Sequence, residues 1–70
     1  MLLSEIKKAR KENKKLKWND PDPIEGNDYT ITYIEDLSGL TDEEMEDCPV
    51  LIQYGGGSEA EVYLSEIALA

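Results

Sequence analysis

The run from Cys48 to Ile67, CPVLIQYGGGSEAEVYLSEI, constrains the chain most, because two strand-like segments are joined there by three glycines and a serine. Strand side chains alternate faces, so Val50, Ile52 and Tyr54 share one side and Leu51 and Gln53 take the other. Beyond the glycines, Ala60, Val62 and Leu64 fall on one face and Glu61, Tyr63 and Ser65 on the opposite one, the pattern of a half-buried antiparallel strand. Gly55, Gly56 and Gly57 supply positions where positive φ carries no steric penalty, as a hairpin with a bulge requires. A phosphate-cradling glycine loop normally leads into a helix and often carries a nearby lysine. Here Glu59 and Glu61 follow, and they would repel an anion.

Charge is segregated along the chain. All seven basic residues precede Trp18, against two acids there, a balance of +5, while the remaining residues hold fourteen acids and no base, for a net charge of −9. A body without Lys or Arg forms no internal salt bridges, and its carboxylates repel one another at some cost to folding. The basic segment reads as a solvated helix face that also neutralises the body. A contact for nucleic acid or anionic lipid is the alternative, but binding there would bring a polyanion close to fourteen carboxylates that repel it, so direct nucleic-acid binding is not expected.

Seventy residues make a single small domain over 1–70 with a modest core. The absence of His and the single Cys exclude an internal disulfide, a Cys/His zinc site and histidine-based acid–base or triad chemistry within one chain. Cys48 lies between Asp47 and Pro49, where carboxylates disfavour a thiolate. No apolar run approaches the roughly 20 residues that span a membrane. A chain with this cysteine usage is expected in the cytoplasm, with no membrane association.

Residues 1–17 read as a basic helical segment. Ser4 is placed to cap it and Glu5 to favour its first turn, and Leu2, Ile6, Ala9 and Leu16 form a narrow apolar stripe. Asn13 interrupts that stripe, so fraying is expected near it, with Lys15 to Trp18 beginning an extended segment in which Leu16 and Trp18 point the same way. Asn19 to Asn27, NDPDPIEGN, is loop material. Its Asp20, Asp22 and Glu25, with Asp28, do not match a calcium loop, because the sixth position from Asp20 is Glu25 rather than glycine. No metal and no cofactor is expected.

Residues 29–67 read as an acidic antiparallel sheet. Its first strand, YTITYIED from Tyr29, places Tyr29, Ile31 and Tyr33 on one face and Thr30, Thr32 and Ile34 on the other. Between that strand and the hairpin, Thr41 to Glu44 fit a capping box, with Leu40 and Met45 placed for a hydrophobic staple. The resulting short acidic turn carries Asp42, Glu43, Glu44, Glu46 and Asp47. The fold expected is α+β: an N-terminal helix packed on a three- or four-stranded antiparallel sheet.

The phrases GNDYTITYIEDL and LIQYGGGSEAEVYLSEI resemble those of small acidic accessory proteins carried by bacteriophages and mobile elements. That resemblance implies an accessory role in a host cytoplasm, often inhibition of host defence or nucleic-acid machinery by imitating DNA. From the residues themselves, the expectation is a non-enzymatic protein that docks on a basic protein surface through Asp42, Glu43, Glu44, Glu46 and Asp47, joined by Glu59 and Glu61 if these share that side. A row of carboxylates approximates the charge density of a duplex, one per about 1.7 Å, over a short length. The competing expectation is an oligomeric sponge for a nucleotide-like molecule, with Tyr33, Tyr54, Tyr63 or Trp18 stacking on bases at a subunit interface. An enzyme is the weakest case, since carboxylates are plentiful but neither a pocket that would raise their pKa values nor an electrophilic partner is evident.

Overall fold

A computed structural model describes residues 1–70, and the chain is α+β. Helix α1 (Leu3–Lys11) leads into strand β1 (Leu16–Trp18); β2 (Ile31–Ile34) follows a long loop. A single-turn helix α2 (Asp42–Met45) precedes the hairpin β3 (Val50–Tyr54) and β4 (Ser58–Val62), and a 3₁₀ turn (Leu64–Glu66) leads into β5 (Ile67–Leu69). The strands form two antiparallel sheets, ordered β2-β3-β4 and β1-β5. They touch at a bridge between Lys17 and Thr30, beside which the Trp18 N–H donates to the Tyr29 carbonyl at 3.1 Å.

The hairpin forms where the alternation places it. Val50 pairs with Val62 and Ile52 with Ala60, so the inward residues of both strands meet across the ladder, and Val50, Ile52 and Val62 are fully buried. Tyr54 pairs with Ser58, leaving Gly55 to Gly57 as the loop. Gly55 needs to be glycine twice over: its φ is +56°, and a Cβ would lie 2.6 Å from the Asp28 carbonyl oxygen. β4 ends at Val62, so Leu64 reaches the core from the 3₁₀ turn rather than from the strand.

Two expectations are corrected and a third is narrowed: helix α1 ends at Lys11, beside the break expected at Asn13, and does not fill residues 1–17. A Schellman-type stop ends it: Lys14 N–H donates to the Ala9 carbonyl and Asn13 N–H to that of Arg10, with Asn13 at φ 58°. At the other end, α1 starts at Leu3 and Ser4 lies inside it, so Leu3, Ile6 and Ala9 face the core; Leu3 is 2% exposed and Leu2 57%. In β2 the register shifts between Ile31 and Tyr33. That bulge turns Ile31 and Ile34 inward, opposite Tyr54 and Ile52, and leaves Tyr33 outward, because one extra residue reverses a period of two.

The core is one cluster drawn from every element: Leu3, Ile6 and Ala9 of α1, Leu16 of β1, Ile34 of β2, Met45 of α2, the hairpin valines and Ile52, then Leu64 and Ile67, with Leu37 from a loop. Aromatic residues close one end. The Trp18 ring meets Tyr29 and Tyr54 edge-on at centroid distances of 5.8 and 5.2 Å, and the two tyrosines stack at 5.5 Å. The Trp18 indole N–H donates to Glu66 at 2.7 Å, so its polar edge is satisfied while its face is covered. No helix is long and apolar enough to cross a membrane.

Candidate functional site

Helix α2 takes Thr41 as its N-cap, as the sequence suggests, although Glu44 reaches back to the Thr41 hydroxyl and not to its backbone amide. The Glu44 N–H donates to Thr41 Oγ1 at 3.3 Å, and the Thr41 hydroxyl donates to the Glu44 carboxylate at 3.1 Å. Buried Met45 and half-buried Leu40 hold the turn on the core. One contact is not visible in the sequence: the Leu3 N–H donates to Asp42 Oδ1 at 2.6 Å across 39 residues. The first amides of a helix lack internal partners and carry the positive end of its dipole, so Asp42 acts as a distant cap for α1. Glu5 satisfies the neighbouring amide, accepting from the Leu2 N–H at 2.8 Å.

The five acids of this segment therefore divide. Asp42 and Glu44 are engaged in holding α1 and α2. Glu43, Glu46 and Asp47 are exposed, with no hydrogen bond or ion pair from their side chains. Glu59 and Glu61 lie on the outer face of β4, opposite Gln53 and Leu51 of β3. Glu59 accepts from the Gln53 side-chain amide at 3.1 Å, and Glu61 is unpartnered. On the same outer ladder Glu35, which the sequence did not single out, accepts the Leu51 N–H at 2.8 Å. The acids thus occupy two places, a turn docked on α1 and the outer surface of the hairpin.

No base forms an ion pair with either, although Lys7 lines a cleft with Asp42. The chain has one ion pair, Lys14 with Glu12 at 3.5 Å, and both partners belong to the N-terminal segment. Longer-range influence reaches two loop aspartates. Asp36 accepts the Ser38 N–H at 2.9 Å, and the Ser38 backbone and hydroxyl hold its carboxyl below the ordinary value, with a smaller downward pull from Arg10 and Lys7. Asp28 is held down in the same way by Thr30, with Lys15 contributing least. Folding therefore favours these two carboxylates in their ionised form. Their contribution to stability is present above the ordinary carboxylate range and is lost as pH falls through the lowered values. Asp20 likewise turns back on its own loop, accepting the Asp22 N–H at 2.9 Å.

No buried side chain is polar or charged, and Cys48 is exposed. The concavities are open surface clefts, one of which gathers Arg10, Lys14, Lys15 and Tyr33. The sequence put Lys14 at the fraying end of the basic helix, Lys15 at the start of an extended segment and Tyr33 on one face of a strand, and it did not bring the three together. The one signal was Asn13, whose left-handed backbone turns the chain back and brings Lys14 and Lys15 beside β2.

Fold and surface together define a small α+β domain in which acids and bases adjoin in places but form a single direct ion pair. No family model matches the chain, and neither a curated protein nor a solved structure matches it.

Proposed function

We propose that the chain is a non-enzymatic interaction protein that docks its acidic exterior on a cationic surface of a partner protein. One observation carries this: the only ion pair is Lys14 with Glu12, so no base pairs directly with any of the fourteen acids of the body. Uncompensated carboxylates on a folded surface raise the rate of encounter with a positive site and select against other partners. Taken with the resemblance to accessory proteins of bacteriophages and mobile elements, the partner is a host protein whose cationic site ordinarily holds nucleic acid. The chain would occupy that site as a DNA-like decoy and inhibit it in the host cytoplasm.

The contact is assigned to Glu43, Glu46 and Asp47, with Glu61 and Glu59 on the hairpin as a second patch. Asp42 and Glu44 are poor choices for a test, since removing them would loosen α1 and α2. The experiment is capture of partners from host lysate with a salt-gradient elution, then binding of each purified partner to the chain and to Glu43→Gln/Glu46→Gln/Asp47→Asn. The triple variant is expected to bind about tenfold more weakly with a shallower dependence on salt. Duplex DNA should compete with the unmodified chain for the partner. Unchanged affinity and salt slope in the triple variant would show that this turn is not the contact.

A further inference from the structure

The two sheets share only a short contact and then diverge. Towards the N-terminal end of β1 the chain follows β5, where the Ala70 N–H donates to the Lys15 carbonyl at 3.0 Å, whereas β2 follows β3. The wedge between them is a cleft of about 260 Å³. One wall carries Arg10, Lys14 and Lys15, brought together by the left-handed turn at Asn13. The other carries Thr32 and Tyr33, and Tyr33 is 48% exposed because the β2 bulge turns it outward. Leu16, Ile31 and Ile34 contribute the apolar lining.

Among the clefts this one combines three cations with an exposed aromatic ring. Arg10 and Lys15 enter no ion pair, and Lys14 is shared with Glu12 alone. Arg10 also lines a second cleft with Lys7 and Lys11, so positive charge continues along one side of α1. The acid in that second cleft is Asp36, an ionised carboxylate that accepts the Ser38 N–H and that Arg10 also influences; it does not line the cleft of Tyr33. An anion at Arg10 and Lys15 therefore meets no carboxylate lining its own cleft.

The geometry points to this cleft as a binding site for a small phosphorylated nucleoside, its phosphates on Arg10, Lys14 and Lys15 and its base against Tyr33. Cations alone would suit any anion; the ring beside them selects one with a flat, stackable group. Size and charge limit the ligand in the same direction. At about 260 Å³ the cleft falls just below the usual range of small-molecule sites, about 300–1,000 Å³, and a long nucleic-acid strand leaving it would run past a body of fourteen acids. The site shares no residue with the acidic docking surface and does not depend on it.

The test is isothermal titration of the full chain, at low salt, with ADP, pyrophosphate, adenosine and a 15-nucleotide single strand. ADP is expected to bind, pyrophosphate about tenfold more weakly, adenosine not measurably, and the strand no more tightly than ADP. Arg10→Gln/Lys15→Gln should weaken ADP at least tenfold. Tyr33→Ala should reduce ADP to the level of pyrophosphate. All three positions are exposed, so the variants should fold, and amide NMR of the unmodified chain gives a check independent of substitution. Shifts on adding ADP confined to residues 10–16 and 31–34 support the site. Absence of ADP binding, binding indifferent to either variant, shifts elsewhere, or tighter binding of the strand than of ADP would each overturn it.

Discussion

At the scale of single residues, Gly55 and Gly56 are adjacent and chemically identical but answer to different constraints. Gly55 has positive φ and stands against the Asp28 carbonyl, whereas a Cβ on Gly56 would meet open space. A left-handed backbone costs an L-residue about 1–2 kcal/mol before any contact is counted. Moving the Asp28 backbone away from a new methyl adds to that, so Gly55→Ala should cost about 2–4 kcal/mol, and Gly56→Ala less than about 0.5. Urea denaturation of the two variants measures this directly: the midpoint should fall for the first and hold for the second, with similar slopes. A domain of this size has about 4–10 kcal/mol to lose. Equal effects would mean that the approach of the Asp28 loop to the hairpin contributes nothing to stability.

At the scale of elements, the contact between α1 and α2 tests how an acidic turn is held. Asp42 accepts from the Leu3 amide at 2.6 Å, so Asp42→Ala should cost about 1 kcal/mol, the usual value of a lost helix cap. In thermal denaturation that is a fall of about 4–8 °C. Asp42→Asn keeps an acceptor and should lose less. Had Asp42 been a free surface acid, either change would be neutral or stabilising. This contact also marks a limit of the sequence. The hairpin, the acidic turn and the end of α1 near Asn13 were legible because each has a local cause: alternation, a capping box, a residue that tolerates left-handed geometry. The choice of Leu3 over Leu2, the β2 bulge and strand β5 were not. A two-leucine run fixes no helical phase until Asp42 caps one amide. Three residues such as Ile67 to Leu69 are too few to show a period, and their pairing with Leu16 to Trp18 is purely tertiary. The same holds for the surfaces. The acids could be counted, but which of them serve as caps, and which lysines stand beside Tyr33, depended on contacts between distant segments.

At the scale of the whole molecule, charge acts as a load on folding. The chain measures 34 × 26 × 17 Å, while the Debye length falls from about 30 Å at 0.01 M salt to about 10 Å at 0.1 M. In dilute buffer, therefore, nearly every carboxylate of the body repels every other, while the attractions that salt would weaken are the Lys14–Glu12 pair and the longer-range pull of Arg10, Lys7 and Lys15 on Asp36 and Asp28. Raising sodium chloride from 0.01 to 0.2 M should raise the melting temperature by about 5–10 °C, corresponding to relief of about 1–2 kcal/mol of repulsion. A protein held by salt bridges would respond in the opposite sense. Glu43→Gln/Glu46→Gln/Asp47→Asn should melt higher than the unmodified chain at 0.01 M salt and show a smaller rise, because it starts with three fewer mutually repelling charges. A melting temperature that is flat or falls with salt would show that the seven bases neutralise the body at a distance without touching it. In that event the field at the acidic turn and hairpin would be weakened, although the chain keeps its net charge of −9, and the proposed docking would lose part of its driving force even though the acids remain exposed.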